Sequence, residues 1–353
     1  MPSIIGRMKK QAEFWEPTEG GIRCLLCPRL CSIPEGKTGF CGARKNEGGK
    51  LYTLIYGTVT AANPDPIEKK PLHHFWPGSL VFSLSSVGCN FKCDFCQNWE
   101  LSQSRLGEVY TRELAPEEAV EGAKETECSG IAFTYNEPSI WWEYCYDVSK
   151  LAKKEGLYTV MVTNGYLNLP AWEKLSPYLD AANVDVKAFT DRFYRKFPGV
   201  PSLKPVLESC EWLVRKGKHL EVTYLLIPGE NDDPEEIREF CRWVREKLSP
   251  DIPVHFSRFF PHYKLKGKPS TPLSTLERAK RIAREEGIEF VYLGNVALEG
   301  AEDTLCPSCG ELLVKREGFS VLDYKLENGK CPKCGRRIRM VGKFEGGRSW
   351  WIL

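Results

Sequence analysis

The sequence predicts an α/β fold, a partial (β/α)6-type barrel with a cysteine-rich segment before it and a small metal-binding domain after it. Three observations predict this. Strand-like and helix-like stretches alternate through the middle of the 353-residue chain, polar residues collect at the ends of the strand-like stretches, and eleven of the fifteen cysteines fall into three tight groups. Alternation of this kind means parallel strands joined by right-handed helical crossovers.

The elements read in order as follows. "LVFSLSSVG" (80–88) is a short apolar run bounded by turn residues, a buried strand. A helix follows from about Pro116, then the strand "GIAFTY", then a helix over "SIWWEYCYDVSKLAKKEG" with Ser139 as its cap and Gly156 as its stop. Strand "LYTVMVT", helix "PAWEKLSPYL", strand "AANVDV", helix "PVLESCEWLVRKG" and strand "HLEVTYLLI" continue the rhythm. The next helix opens with Asp233 as cap and Pro234 at its first position. Strand "VHFSRFF", helix "STLERAKRIAREEG" and strand "IEFVYLG" close the series. The predicted division is 1–62 for the cysteine-rich segment, 63–300 for the barrel and 301–353 for the terminal domain. The proline-dense stretch "NPDPIEKKPLHHFWPGS" (63–79) is too rich in aromatic and histidine residues for an idle linker and reads as an ordered arm packed on the barrel.

In such folds chemistry gathers at the C-terminal ends of the strands. There the chain places Asn136 and Glu137, then Thr163-Asn164-Gly165, then Asp185 and Lys187, then "PGENDD", then Arg258 and His262. Each alone is ordinary turn chemistry; together, beside three cysteines after the first strand, they outline the rim of one active site.

Cys89, Cys93 and Cys96 stand in the spacing CxxxCxxC with no fourth cysteine in the loop. Three thiolates can hold three corners of a cubane iron–sulfur cluster and leave one iron open, as catalytic zinc leaves one position open. Phe91, Phe95 and Trp99 are placed to shield it. The competing readings are zinc, or a cluster completed by a distant cysteine.

This loop resembles the signature of the radical S-adenosylmethionine (SAM) superfamily, with Phe95 at the usual aromatic position. The resemblance implies a 4Fe-4S cluster at Cys89, Cys93 and Cys96 whose open iron is chelated by SAM. Reduction then breaks a C–S bond homolytically, giving methionine and a 5'-deoxyadenosyl radical that takes hydrogen from a substrate. It also implies SAM-site roles for Asn136, Glu137, Asn164, Asp185 and Lys187, from "TYNEP", "TNG" and "DVK". Tyr135-Asn136 stands where many members have two glycines, and a structural Asp185–Lys187 ion pair is the plainer reading of that pair. More narrowly, "RCLLCPRLCSIPEGKTGFCGAR", "DPIEKKPLHHFWPGS", "CNFKCDFCQNWELSQ" and the paired cysteine knuckles near the end of the chain together resemble the AmmeMemoRadiSam-system radical SAM enzymes, relatives of the pyruvate formate-lyase activating enzymes.

Cys306, Cys309, Cys331 and Cys334 form two CPxCG knuckles, a zinc-ribbon or rubredoxin-like pattern for one tetrahedral ion, read as zinc serving as a staple or as a recognition module. Cys24, Cys27, Cys31 and Cys41 follow Cx2Cx3Cx9C and suit zinc or a second, auxiliary iron–sulfur cluster, with Arg29 near enough to offset thiolate charge. Cys145, Cys210 and Cys241 read as buried apolar residues, and Cys128 has no clear role.

Formal charge of +2 gives no overall case for nucleic acid or an anionic membrane. The start "MPSIIGRMKKQAEFWEP" lacks a secretory core and no run spans a bilayer, so a cytoplasmic address is expected. The expected partners are an electron donor such as ferredoxin or flavodoxin and an unidentified small-molecule or protein substrate. Three alternatives accompany this reading: a glycyl-radical-enzyme activase, an RNA-modifying enzyme using "KCGRRIRMVGKFEGGR" as a basic arm, and a non-catalytic iron–sulfur or zinc scaffold.

Overall fold

The structure is a computed structural model that describes residues 8–346. Residues 1–7 of the stretch read for a leader, and Gly347 and Arg348 of the basic stretch, lie outside the described residues, as does the rest of the 347–353 tail.

The centre is an eight-stranded sheet: β1 (Ala61–Pro66), β2 (Leu80–Ser85), β3 (Gly130–Phe133), β4 (Tyr158–Thr163), β5 (Ala181–Asp185), β6 (His219–Leu226), β7 (Val254–Arg258) and β8 (Val291–Gly294). Each strand pairs with its sequence neighbours; β2 to β8 are parallel, and β1 adds to the β2 edge antiparallel. The edges β1 and β8 leave the barrel open. The helices are α1 (Pro116–Glu125), α2 (Trp142–Lys154), α3 (Leu169–Leu175), α4 (Asp191–Lys196), α5 (Lys204–Arg215), α6 (Pro234–Trp243) and α7 (Leu273–Glu285).

All seven expected parallel strands form. Alternate residues of β2 to β5 go to two different cores, as the two-residue period of a strand requires. Phe82, Ile131, Phe133, Met161, Val222 and Phe256 pack in the main core with the helices. Val81, Ala132, Tyr158, Val160 and Ala181 face the other way and pack with Ile67, Leu72 and Phe75 of the arm. The arm therefore plugs the lumen from the N-terminal ends of the strands. Its first residues do more than pack: Asn63 to Pro66 belong to β1, which straddles the expected division at 62/63. Pro64 and Pro66 fit there because proline lacks the N–H that a central strand must donate, and an edge strand tolerates this.

Three local expectations need correction. Ser139 does not cap α2; Glu137 caps a 3-10 turn over Pro138–Trp141, its carboxylate accepting from the Ser139 amide, and α2 begins at Trp142. Pro138 at the first position of that turn drew the cap forward. Helix α4, "DRFYRK", was not foreseen, being too short to show a period, although Thr190 caps it. Helix α6 gives way to a π turn over Val244–Leu248, where one continuous helix was expected. Asp233 and Pro234 start α6 as expected, and Gly156 follows the end of α2 in the left-handed region (φ +75°).

Three-stranded antiparallel sheets flank the barrel. Two precede it, built from Trp15–Thr18, Gly21–Cys24 and Ser32–Ile33, and from Lys10–Gln11, Arg44–Glu47 and Lys50–Thr53. One follows it, built from Thr304–Leu305, Leu312–Glu317 and Ser320–Tyr324. No helix among the described residues is long and apolar enough to cross a membrane.

Candidate active site and metal centres

Strand β2 ends at Ser85 and delivers the chain to Gly88, whose φ of +87° suits glycine. A Cβ there would lie 2.7 Å from the Cys41 carbonyl oxygen, so glycine is also what lets the N-terminal segment touch the cysteine loop. Cys93 is buried and Cys89 and Cys96 are half-buried. Phe91 packs on Tyr166 and Tyr194, and Phe95 on Phe193 and Phe197, so α4 supplies part of the apolar wall. Trp99 stacks instead on Tyr263 at a ring separation of 5.0 Å. The sulfurs have few protein donors: the Phe91 amide lies 3.3 Å from Cys89 Sγ and Ser102 Oγ 3.1 Å from Cys96 Sγ. Burial, then Glu137 and Cys93, push the Cys89 thiol well above its usual range, and burial pushes Cys93 up to about 12. Thiolates here therefore need a bound cation.

The rim residues meet around this loop, but most are committed to one another. Glu137 accepts from Thr163 Oγ1 (2.6 Å), the Asn164 amide (2.8 Å) and the Ser139 amide (3.0 Å), so both its oxygens are taken. Asn136 accepts from the Ser86 amide and donates to the Gly88 carbonyl, fixing the entry to the cysteine loop. Asn164 Nδ2 donates to Asn90 Oδ1 at 2.8 Å and stands 3.8 Å from Cys89 Sγ. Asn90, fully buried, also donates to the Tyr166 carbonyl. Asp185 and Lys187 form an ion pair of 3.1 Å, and Lys187 Nζ lies 5.9 Å from the Phe95 ring centre. Burial works against the Lys187 ammonium, yet Asp185 and then Cys93 hold it above its usual range.

Elsewhere the rim is turn chemistry. Asn231 of "PGENDD" closes its own loop on Ile227 and donates to the Lys187 carbonyl, and Arg258 donates to the Thr271 carbonyl. At Tyr135 the chain keeps the backbone that glycine would favour: φ is +69°. Its hydroxyl bonds Asp65, which pairs with Lys70 at 2.7 Å. Burial lowers Lys70 to about 8, while Lys70, Lys69 and Tyr135 outweigh the burial of Asp65 and hold it at about 2. Sequence reasoning missed this buried triad, because its members come from β1, the arm and the end of β3.

The N-terminal cysteines surround one pocket that Asn90 and Ile140 also line. Among the described residues, no three of Cys24, Cys27, Cys31 and Cys41 bring their sulfurs within 4.8 Å of one another, and neither do Cys89, Cys93 and Cys96. Arg29 lines the pocket but spends its donors on the carbonyls of Asn90, Pro198 and Gly199. The cation that touches a thiol is the buried Arg44, 3.6 Å from Cys24 Sγ and paired with Glu143 of α2. Arg44 was visible in "FCGAR" but was not singled out.

The C-terminal knuckles differ. Cys306 and Cys334 bring their sulfurs to 3.6 Å, Cys309 and Cys331 to 3.7 Å, and all four lie within 4.8 Å. Gly310 and Gly335 turn with φ near +73° and +74°, each amide donating to the carbonyl of the first cysteine of its knuckle. A tetrahedral ion with bonds of about 2.3 Å sets its sulfurs about 3.8 Å apart. This domain docks at the arm's end of the barrel: Val341 exchanges backbone bonds with His74 and Trp76, and Arg316 donates to the His73 carbonyl. Its basic stretch is paired: Arg336 with Glu289, Arg339 with Asp251, and Lys333 with Glu311.

Comparison with known proteins agrees with this arrangement. Residues 83–241 match the family model described as the radical SAM superfamily. An uncharacterized Methanocaldococcus jannaschii protein, MJ0808, is 43% identical over 94% of this chain and 99% of its own length. The pyruvate formate-lyase 1-activating enzyme of Escherichia coli is 25% identical over 61% of this chain and 93% of its own. A radical SAM methyltransferase from Sphaerobacter thermophilus superposes with a TM-score of 0.49 at 20% identity, covering 62% of this chain and 67% of that one. The family implies a 4Fe-4S cluster and SAM, with a reductant and a substrate to complete the reaction. The chain belongs to the radical SAM superfamily, whose enzymes cleave SAM to a radical.

Proposed function

We propose that Cys89, Cys93 and Cys96 hold the 4Fe-4S cluster of a radical SAM enzyme acting on a substrate still to be identified. One observation carries this placement: three thiols with few protein donors and wide separation share one shielded loop at the C-terminal ends of the strands. When bound, the cluster supplies the electron that cleaves SAM. The chain's own residues orient and dry the site. Glu137 ties the ends of β3 and β4 together, Asn164 and Asn90 brace the first cysteine, and Asn136 sets the loop's entry. Lys187, held cationic by Asp185, lies beside Phe95 and Cys93, where it favours an anionic group. In this reading Asn136 and Glu137 position the SAM site, while Asn164, Asp185 and Lys187 are its contact candidates.

Cys24, Cys27, Cys31 and Cys41 fit an auxiliary iron–sulfur cluster, because their sulfurs stand too far apart for one ion, and a multi-iron body separates its ligands. Cys306, Cys309, Cys331 and Cys334 fit a single zinc. The units are then 1–62, 63–300 and 301–353, with β1 spanning the division between the first two. A cytoplasmic protein served by a ferredoxin- or flavodoxin-type donor follows from the oxygen sensitivity of such clusters.

A glycyl-radical activase is the second reading, favoured by the name of the Escherichia coli relative. RNA modification is weaker, since Lys333, Arg336 and Arg339 of the basic stretch are paired with acidic side chains and its domain sits at the opposite end of the barrel. Anaerobic reconstitution, reduction and detection of 5'-deoxyadenosine test the class, and its stimulation by candidate substrates tests the specificity. Formation of a glycyl radical on a co-purified partner enzyme, seen by electron paramagnetic resonance, would favour the activase. A protein that binds SAM without any turnover under every reductant would point to the scaffold.

A further inference from the structure

Four of the chain's five histidines, His73, His74, His219 and His255, are buried near the N-terminal ends of the strands, away from the cysteine loop. They converge on Glu221, which points into the lumen from β6 with no exposed surface. Its two oxygens lie 2.7 Å from His255 Nε2 and 3.0 Å from His219 Nε2, and it also accepts from the His74 amide. His73 reaches the same place from the arm. One ligand atom each of His73, Glu221 and His255 lies within 4.8 Å of the others.

His73 is the anomaly. It is 1% exposed, yet neither ring nitrogen has a hydrogen-bond partner. Its nearest carboxylate, Glu302, stands 3.8 Å away. Leaving a buried polar group unpaired costs about 1–3 kcal/mol, so buried imidazoles normally find a donor, an acceptor or a metal. Three carboxyl groups, Glu68, Glu221 and Glu302, share this layer with Arg316.

We infer that His73, Glu221 and His255 form a second-class metal site, a His2Glu set for one divalent first-row transition ion that clamps the arm to β6 and β7. Two imidazoles and a carboxylate are the donor set that suits zinc or ferrous iron. His219 holds the other Glu221 oxygen, the outer partner that orients a ligating carboxylate. His219 also lines a cavity of about 310 Å³ between the arm and the ends of β4 and β6. The ion gives His73 its missing partner. The site is independent of the radical chemistry at the other end of the strands.

The test is zinc K-edge X-ray absorption with a zinc count on the full chain, purified anaerobically in excess zinc. Wild type is expected to show a nitrogen/oxygen shell at about 2.0–2.1 Å beside the sulfur shell at about 2.3 Å. His73→Phe is expected to lose one zinc per chain and the nitrogen/oxygen shell while keeping the sulfur shell. His255→Asn is expected to do the same, and stands in should the phenylalanine disturb folding. An all-sulfur spectrum from wild type overturns the inference without reference to any variant. So does a nitrogen/oxygen shell that survives both substitutions, which would place that zinc elsewhere.

Discussion

The four cysteines before the barrel and the four after it are the same ligands in two arrangements. Those after it already stand as one ion would hold them, with sulfurs at 3.6 and 3.7 Å, on a domain docked at the plugged end of the barrel. Those before it spread round a pocket that Asn90 of the three-cysteine loop also lines, and the Cys41 carbonyl presses on Gly88. On the proposed reading, sulfur spacing separates one ion from a cluster, and position separates a metal that steadies the fold from one that exchanges electrons or anchors substrate.

The comparison can be broken most decisively by metal content. Replacing Cys24 and Cys41 with Ala is expected to remove about four irons and leave zinc unchanged, whereas replacing Cys309 and Cys331 removes the one sulfur-bound zinc and leaves iron unchanged. Iron and zinc analysis of the two double variants reads this directly, and zinc lost from the first would equate the two sites. Next in size is Arg316→Met. Arg316 is buried where the terminal domain meets the arm, donating to the His73 carbonyl and facing Glu68. Loss of a buried charge partner should lower unfolding stability by about 3–5 kcal/mol, measured by denaturant titration, with the clusters still assembled. Docking of this kind makes simple truncation near Asp303 a poor probe, since it would bare Tyr292, His74 and the arm.

At the other end, Asn164→Ala and Glu137→Gln are expected to slow SAM cleavage by about 10- to 100-fold at unchanged iron content, because they orient the cysteine loop. An unaltered rate in both would remove them from the site. Smallest is Ser102→Ala. Its hydroxyl is 3.1 Å from Cys96 Sγ, and losing a hydrogen bond to a cluster sulfur should shift the reduction potential downward. Spectroelectrochemistry reads the shift, and the N-terminal cluster should not move with it.

What was legible in the sequence was whatever repeats or crowds locally. The two-residue and helical periods marked β2 to β8, and cysteine spacing marked all three groups before any fold was known. Contacts joining distant segments were not legible. Asp65, Lys70 and Tyr135 form a triad across β1, the arm and β3, and nothing in "NPDP" or "TYNEP" names the partner. The partners of Glu137 were hidden for the same reason: the motif shows a carboxylate at a strand end, but only the fold shows Thr163 and Asn164 donating to its oxygens. The histidine-rich arm read as an ordered segment packed on the barrel, but only the fold shows it entering the plugged end of the lumen.

The central claim is that the three-cysteine loop builds the reacting centre. The most direct measurement is 5'-deoxyadenosine formed by the anaerobically reconstituted, dithionite-reduced protein with SAM, for wild type and for Cys89→Ala, Cys93→Ala and Cys96→Ala. Wild type should yield 5'-deoxyadenosine and methionine in equal amounts, and each variant none, with the iron of Cys24, Cys27, Cys31 and Cys41 retained. Turnover that persists in any one of the three variants would contradict the account and move the chemistry to another set of ligands.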